Sequence, residues 1–435
     1  MTRHSALPGF RDFYPEEFAL RKQIFDAWNE VARRYGFEAY DGPPLESLAL
    51  YIEKSGPEIV NQLFNFTDKG GREVALRPEM TPTLVRMLGA RVKGMPKPVR
   101  WYSTPQMFRY EKQQRGRLRE HFQLNMDIIG ETSVLADADL LAAALDVLQL
   151  LGLTSKDIVA RVSDRRLLQA ALLSLGIGEE NLPVAYNVID KVERDSRETC
   201  LQRLAELGLP AERGEAALSL TSLTFEEVSE RFGRSEEGTR VVGEISRYLG
   251  ALESLGLGDF VQFDMKIVRG LAYYTGIVFE IFDRGGNLRA ICGGGRYDNL
   301  FEALTGTAVP ALGFGFGDVV LGELLKEKKK VSGYRRSVDV YVIAVDDSVQ
   351  NNALGLVADL RGRAQSVLFP YRASGVGKAL KAAAAAGARE AVIVGPEEAN
   401  DGALVVRNLE TGNEERVGRS EYLERVAARG IAGRA

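Results

Sequence analysis

The run VRGLAYYTG, residues 268–276, sets one arginine and two tyrosines between glycines, just ahead of the strand-like IVFEIF. Four other segments carry residues of comparable chemical weight. RYEKQQRGRLR (109–119) holds five cations, Arg109, Lys112, Arg115, Arg117 and Arg119, against the single anion Glu111. LRPEMTPT (76–83) supplies Arg77, Glu79 and Thr81, and CGGGRYDNL (292–300) follows a glycine cluster with Arg296 and Tyr297. LGFGFGD (312–318) alternates Gly313, Gly315 and Gly317 with Phe314 and Phe316. Histidine is scarce: His4 and His121 are the only two, which argues against a His-based triad or a His/Cys metal cluster. Chemistry in this chain falls to carboxylates, arginines, tyrosines and backbone dipoles.

These residues need elements to hold them. Residues 100–130 read as two strands around a long basic tip, and residues two apart in a strand share a face. Arg109 and Glu111 then point together. Gln123, Asn125 and Asp127 form a polar floor about 13 Å long, with Phe122, Leu124, Met126 and Ile128 on the core side. The alternating glycines leave one strand face bare, which weakens a strand unless something approaches closely. A flat ligand or a tightly packed helix would each explain it. Residues 16–35 and 132–152 read as helices with apolar faces. The stretch from about 165 to 255 is helix-rich, and strands are expected at 260–268, 274–284, 288–293 and 311–317. After the hydrophilic connector KEKKKVSGYRRS (326–337), the strand runs VDVYVIAV, QSVLFPY, EAVIVG and ALVVRNLE alternate with helical patterns at 347–363 and 376–388. SGVGK (374–378) lacks the spacing of a nucleotide loop and reads as a helix start.

The composition suits two or three globular domains: 435 residues, 45% hydrophobic and 27% charged. A net charge of −4 argues against a chain dedicated to coating nucleic acid. The N-terminus shows no secretory h-region. The longest apolar stretch, LLAAALDVLQLLGL, is too short for a bilayer, so no membrane role is expected. Two cysteines, Cys200 and Cys292, give no disulfide framework and fit the cytoplasm.

FRYEKQQRGRLREHFQ resembles motif 2 of the class II aminoacyl-tRNA synthetases. VRGLAYYTGIVFE and CGGGRYDNL resemble the two signature segments of the histidyl-tRNA synthetase family. LPGFRDFYPEE, LRPEMTPTLVR and DGPPLE (41–46) are similar to further segments of it, the last as a motif 1 at a dimer interface. The likeness runs over nearly the whole chain. It implies an α+β fold: a class II antiparallel sheet with flanking helices over 1–325, a helical insertion at about 165–255, a linker at 326–337 and an anticodon-binding α/β domain at 338–435. It also implies ATP-dependent attachment of histidine to tRNA(His) through a histidyl adenylate, in a cytoplasmic homodimer, with Mg²⁺ accompanying ATP and no metal held by the protein itself.

By motif position, the resemblance implies that Arg109 contacts the α-phosphate, Glu111 lies near adenine and Arg119 reaches the outer phosphates. Glu79, Thr81 and Gln123 would hold the amino and carboxylate end of histidine. Asp127, Tyr274 and Tyr297 would surround its imidazole, and Arg269 would bridge the carboxylate and the α-phosphate. Gly313, Gly315 and Gly317 would approach ATP. Three positions depart from the family pattern: Ala272 stands for a usual aspartate, Asp127 for a common glutamate, and Val320 for the motif 3 arginine. A second cation, Arg296 or Arg115, is expected to replace that arginine. A regulatory paralogue that partners ATP phosphoribosyltransferase is the main rival reading, and a tRNA-binding regulator that charges nothing is another. The paralogue generally lacks the C-terminal domain and the signature arginine, whereas residues 338–435 and Arg269 are present here.

Overall fold

The computed structural model describes residues 4–233, 235–269, 273–334, 336–372 and 374–432. Ala272 lies outside the described residues. The chain divides into two compact units, Met1–Ser332 and Gly333–Ala435.

In the first unit, α1 (Pro15–Arg34) begins with proline at its first turn, followed by Glu16 and Glu17, and ends on Arg33 and Arg34. These charges complement the helix dipole. The short β1 (Glu38–Ala39) leads to a small three-stranded sheet of β2 (Leu45–Ser47), β3 (Asn65–Thr67) and β4 (Glu73–Leu76), with α2 (Leu48–Ser55) inserted after β2. Next come α3 (Thr81–Gly89), β5 (Val99–Ser103), β6 (Gln106–Phe108), β7 (Glu120–Ile129), α4 (Val134–Leu150) and β8 (Ile158–Asp164). Six helices follow: α5 (Arg165–Ser174), α6 (Leu182–Asp190), α7 (Arg197–Ala205), α8 (Ala211–Ser219), α9 (Phe225–Phe232) and α10 (Glu236–Ser254). The unit closes with β9 (Val261–Phe263), β10 (Ile277–Asp283), β11 (Cys292–Arg296), α11 (Leu300–Thr305), β12 (Ala311–Gly317) and α12 (Asp318–Glu327).

The large sheet runs β1-β5-β7-β12-β11-β10-β8-β9, with β6 paired to β7, and its four central strands are antiparallel. Leu124, Met126, Phe279, Phe314 and Phe316 pack one face against α1 and α4. Trp28 of α1 approaches Phe316 at 6.2 Å between ring centroids. Fully burying one such side chain is worth about 1.5–3 kcal/mol, so this face anchors the sheet. The opposite face is covered at one end by α3 and α11, through Leu84, Leu88 and Phe301. The six helices have their own core, and Met265 and Val268 from the segment before Arg269 are buried in it.

Several expected strands are shorter than their apolar runs. The strand expected at 288–293 begins only at Cys292, because the Asp283 carboxylate accepts the N–H groups of Asn287 and Leu288 and makes 283–288 a turn. Residues 109–111 leave the hairpin arm: the Glu111 N–H donates to the Arg109 carbonyl at 2.9 Å, turning the chain. In the connector, α12 extends to Glu327, and Gln23 of α1 bonds the Lys330 carbonyl and the Ser332 N–H.

The second unit has a sheet ordered β14-β13-β15-β16-β17, from β13 (Val338–Ala344), β14 (Val367–Leu368), β15 (Ala388–Val394), β16 (Ala403–Asn408) and β17 (Glu414–Gly418). Its helices are α13 (Gln350–Gly362), α14 (Val376–Ala385), α15 (Pro396–Asp401) and α16 (Arg419–Ala432). β14 keeps only two residues of QSVLFPY, whose Pro370 cannot donate to a ladder. SGVGK is the entry to α14, capped at Gly375.

Candidate active site

Register builds the site. Glu280, Gly293, Gly315, Asn125 and Ser103 lie side by side in one row across five strands. Val278, Gly295, Gly313, Asp127 and Trp101 form the next row, and Gly317 pairs with Gln123 beyond the first. Two neighbouring strands are therefore bare of side chains on this face, flanked by Glu280 on one side and the polar residues of β7 on the other. The bare strands are partly filled by side chains from elsewhere. A Cβ on Gly313 would overlap the Asp127 carboxylate, one on Gly315 would meet the Gln123 amide at 2.5 Å, and one on Gly293 would overlap the Arg269 guanidinium. Two of the alternating glycines thus let neighbouring side chains lie flat. Only Gly317 faces open space.

At one end of this floor the polar groups are buried. Asp127 and Tyr297 are each 2% exposed, and the Tyr297 hydroxyl donates to Asp127 Oδ1 at 2.5 Å. Asp127 Oδ2, Asn125 Oδ1 and the Tyr40 hydroxyl are buried with no hydrogen-bond partner among the described residues. Unpaired buried polar atoms are costly, and a polar ligand would satisfy them. Burial pushes the Asp127 carboxyl up to about 7, although the Tyr297 bond works the other way. Tyr273 lies between its neighbours, tilted 4.9 Å from the Tyr274 ring and edge-on 5.8 Å from the Tyr297 ring. Lys54, almost fully buried at the end of α2, pairs with Glu79 and sits 4.2 Å from the Tyr273 ring centre.

Arg269 lies between this pocket and an open cavity. Its backbone is left-handed, with φ of 57°, a conformation that costs a non-glycine residue energy and clusters at functional sites. Its position is fixed three ways: Val268 is buried in the six-helix core, Nη1 donates to Glu280 at 2.7 Å, and the guanidinium faces the Tyr274 ring at 5.7 Å. Burial works against its charge, while Tyr274 and Glu280 more than restore it. Arg269 Nε has no hydrogen-bond partner among the described residues.

The cavity, about 250 Å³, is lined by Arg109, Glu111, Arg117, Gln123, Arg269 and Gly317, among others. Arg109 is held by its Nε donating to the Pro78 carbonyl at 3.1 Å, which ties it to the loop bearing Glu79. Glu111 is paired with Arg117 through both oxygens. His121, on the same face of β7 as Gln123 and Asp127, also lines the cavity. Burial, then Arg109 and Arg11, push its pKa down to about 3, so it is neutral at pH 7.

The structure thus gathers Arg109, Glu79, Gln123, Asp127, Arg269, Tyr274 and Tyr297 on one face, with Glu111 at its open end. Thr81 opens α3 and makes no side-chain hydrogen bond among the described residues. Arg119 does not line the cavity: its guanidinium stacks 4.7 Å from the Tyr110 ring centre, and Arg117 faces the cavity instead. The expectation for Arg296 fails on strand parity. It points to the opposite face from Gly293 and Gly295, where Asp137 (2.5 Å) and the Glu131 carbonyl (2.8 Å) hold it buried. Arg115 is likewise drawn away, paired with Glu323 and Glu327 on the outer side of α12. Val320 is buried in the core at the cavity wall. Tyr273, Lys54 and His121 were not foreseen. The β7 alternation that picks out Gln123 and Asp127 also picks out His121, whereas Lys54 reads as an ordinary helix-end lysine.

No group of three His, Cys, Asp or Glu side chains able to hold a metal occurs among the described residues. No described helix is long and apolar enough to cross a membrane.

A family model described as histidyl-tRNA synthetase matches residues 9–317, and one described as an anticodon binding domain matches 339–429. A histidine–tRNA ligase of Opitutus terrae is 40% identical over 426 residues, covering 97% of each chain. The chloroplastic/mitochondrial histidine–tRNA ligase of Arabidopsis thaliana is 40% identical over 407 residues, covering 93% of this chain and 83% of its own. The crystal structure of histidyl-tRNA synthetase from Nostoc sp. PCC 7120 shares the fold with a TM-score of 0.81 over 99% of this chain and 100% of its own, at 24% identity. With both units matched and this level of identity over nearly the full length, the chain belongs to the histidyl-tRNA synthetase family.

Proposed function

We propose that this chain attaches histidine to tRNA(His) in two steps, with ATP as co-substrate. The observation that carries this reading is the pairing of a buried polar pocket at Asp127 and Tyr297 with an arginine-lined cavity, joined by Arg269. In the first step the histidine carboxylate attacks the α-phosphorus and pyrophosphate leaves. No proton moves in that step, so the protein's work is to align two anions and stabilise spreading charge. Arg269 suits the junction, since its fixed charge can reach both anions, and Arg109 flanks the same phosphate. Neutral imidazole offers one N–H donor and one acceptor. The free Asp127 Oδ2 accepts from one nitrogen, and a tyrosine hydroxyl, Tyr40 or Tyr274, donates to the other. Glu79, Thr81 and Gln123 hold the α-amino and carboxylate end.

Glu111 meets adenine, and Gly317 offers open backbone to the nucleotide. Mg²⁺ bound to the triphosphate would neutralise part of its charge. The phosphates and water would hold such an ion, since the nearby carboxylates Glu111 and Glu280 are engaged by Arg117 and Arg269. In the second step a terminal tRNA hydroxyl attacks the adenylate carbonyl, the acyl–phosphate bond breaks, AMP departs and the hydroxyl proton is released. Residues 338–435 read the anticodon, and the assembly is a cytoplasmic homodimer joined around DGPPLE. The regulatory paralogue is not favoured, because Arg269 and the anticodon-type unit are both present.

Pyrophosphate exchange into ATP, measured with each amino acid in turn, tests the reading. Exchange with histidine alone is expected. Truncation after Ser332 should leave exchange detectable and greatly weaken charging of tRNA(His). A well-folded protein that neither binds ATP nor exchanges with histidine would sink the proposal.

A further inference from the structure

The cations around the cavity are unevenly placed. Arg109 and Arg269 lie on its floor and Arg117 closes it from the loop side. Between Arg117 and the start of α12 the wall is Gly116, Ala290 and Val320, which brings no charge. Gly317, Val319 and Val320 also line the cavity, so the first turn of the ten-residue α12 meets its outer end. A helix N-terminus favours an anion there. The one acidic side chain in that turn is turned away: Asp318 accepts from Arg11 Nη1 at 2.9 Å and from the Phe122 N–H at 2.8 Å.

Arg289 stands behind this wall, lining an adjoining cavity that shares Gly116, Ala290 and Val320. A Cβ added to Gly116 would lie 3.2 Å from Val320 Cγ2 and 3.9 Å from Arg289 Cδ, so both side chains border the same glycine. The turn that carries Arg289 is pinned by the Asp283 carboxylate on one side and by the Ile291 N–H donating to the Ile281 carbonyl at 2.8 Å on the other. The Cα of Arg289 is thereby fixed, while its side chain is exposed. The guanidinium donates to Gln114 Oε1 at the tip of the basic loop and has no ion-pair partner among the described residues. Arg194 shares this among the described residues, but its other cationic neighbours do not. Arg115 is paired with Glu323 and Glu327, and Arg161 and Lys266 with Glu193. The carboxylates nearby are engaged too, Glu280 by Arg269 and Asp283 by backbone amides. After burial, Arg289 is the first charge that lowers the pKa of Arg117, ahead of Arg109 and Arg194. Like charges gathered this closely repel, and a polyanion bound among them relieves the repulsion.

We propose that Arg289 leaves Gln114 to hold the terminal phosphate of ATP, opposite Arg117 and beside Val320. This rests on the ATP-dependent reading of the site. With the α-phosphate between Arg109 and Arg269, a triphosphate extended towards α12 brings its outer phosphates to the Gly116–Val320 wall. As the bond from the α-phosphorus to the bridging oxygen breaks, negative charge grows on pyrophosphate. A cation at that end stabilises its departure.

The test compares the full-length chain with Arg289→Ala and Arg289→Lys. Calorimetry measures binding of a non-hydrolysable ATP analogue and of AMP, and histidine-dependent pyrophosphate exchange gives the kinetics. Arg289→Ala should weaken the ATP analogue about 10-fold or more, as expected for one lost hydrogen bond to a charged group. AMP binding should be unchanged, and the KM for ATP should rise while that for histidine holds. Arg289→Lys should recover part of the loss. Equal weakening of AMP and ATP would mean a structural role and overturn the proposal. So would an Arg289→Ala variant that binds the analogue and exchanges like the parent. If the parent itself shows no histidine-dependent exchange, the reading of the whole site falls and Arg289 with it. An active parent with an indifferent Arg289→Ala removes only the role of Arg289.

Discussion

The sheet floor and the basic loop both present polar side chains to the same cavity, yet they are held in opposite ways. On the floor, Tyr297 holds Asp127 and Glu280 holds Arg269, and glycines at 293 and 313 exist where the Arg269 and Asp127 side chains must lie flat. In the loop, Lys112 and Arg115 are exposed, and the more sheltered Arg117 and Arg119 are held by partners within the loop itself. The contrast matches two tasks. Recognition of a small neutral ring needs donors and acceptors fixed before the ligand arrives, because a misplaced buried partner is an unpaired one. Holding a flexible, highly charged triphosphate needs charge that can follow it, and exposed arginines supply that.

The contrast breaks most severely if its junction is removed. Arg269→Ala should lower histidine-dependent pyrophosphate exchange by roughly 10²-fold or more, the usual scale for losing a preorganised cation at developing charge. Thermal unfolding should change far less, since Val268 still anchors the segment. Near-normal exchange in this variant would remove Arg269 from the chemistry.

A smaller effect is expected on the floor alone. Asp127→Asn should cost about 1–3 kcal/mol in kcat/KM for histidine, with the KM for ATP unchanged, because a charge-assisted acceptor is lost. pH sharpens this. The Asp127 carboxyl is raised to about 7, so the charged, accepting form is present above that pH and is lost as pH falls through it. Histidine's own imidazole also protonates near 6.5. The parent's kcat/KM for histidine should therefore fall steeply below pH 7, with two groups titrating, whereas Asp127→Asn should show the single inflection of free histidine. Gly313→Ala should copy the Asp127 phenotype without touching the carboxylate, since the added methyl displaces it. A Gly313→Ala variant that impairs only ATP would mean that the glycines serve the nucleotide.

The floor was legible in the sequence because strand alternation is a local rule. Knowing that residues two apart share a face was enough to gather Gln123, Asn125 and Asp127. The same rule, applied to β11, would have turned Arg296 away from the cavity. It was missed because the strand was expected to end at 293, so its parity was never carried to Arg296. The bare glycine face left two readings open, and its main occupants are side chains from β7, which only the pairing register reveals. Lys54 was invisible for a different reason. Nothing local marks a lysine at a helix end as buried, and its partner Glu79 and neighbour Tyr273 come from distant segments. The loop was the least legible part: five cations in eleven residues say that an anion is near, but not which guanidinium turns inward.

Arg119 and Arg117 give the finest test of that last point. They are two residues apart, and by simple alternation they would face the same way. Residues 117–119 lie outside any strand, with β7 starting only at Glu120, so alternation does not hold there and the two arginines find different partners. Arg117 pairs with Glu111 at the cavity, while Arg119 stacks on Tyr110 and donates to the Glu111 carbonyl at 3.3 Å. An exposed cation–π contact of this kind is worth about 0.5–1 kcal/mol, so Arg119→Ala should loosen the loop slightly and little more. Its expected signature is a rise of about two- to fivefold in the KM for ATP, the equivalent of that contact energy, with kcat for exchange unchanged. Arg117→Ala should do more, raising the KM for ATP about 10-fold, since it removes a charge that lines the cavity directly. The ordering of the two is the sensitive quantity. Should Arg119→Ala prove the more damaging, Arg119 must swing off Tyr110 to reach the outer phosphates when ATP binds. The loop would then rearrange by a whole side chain rather than tighten in place.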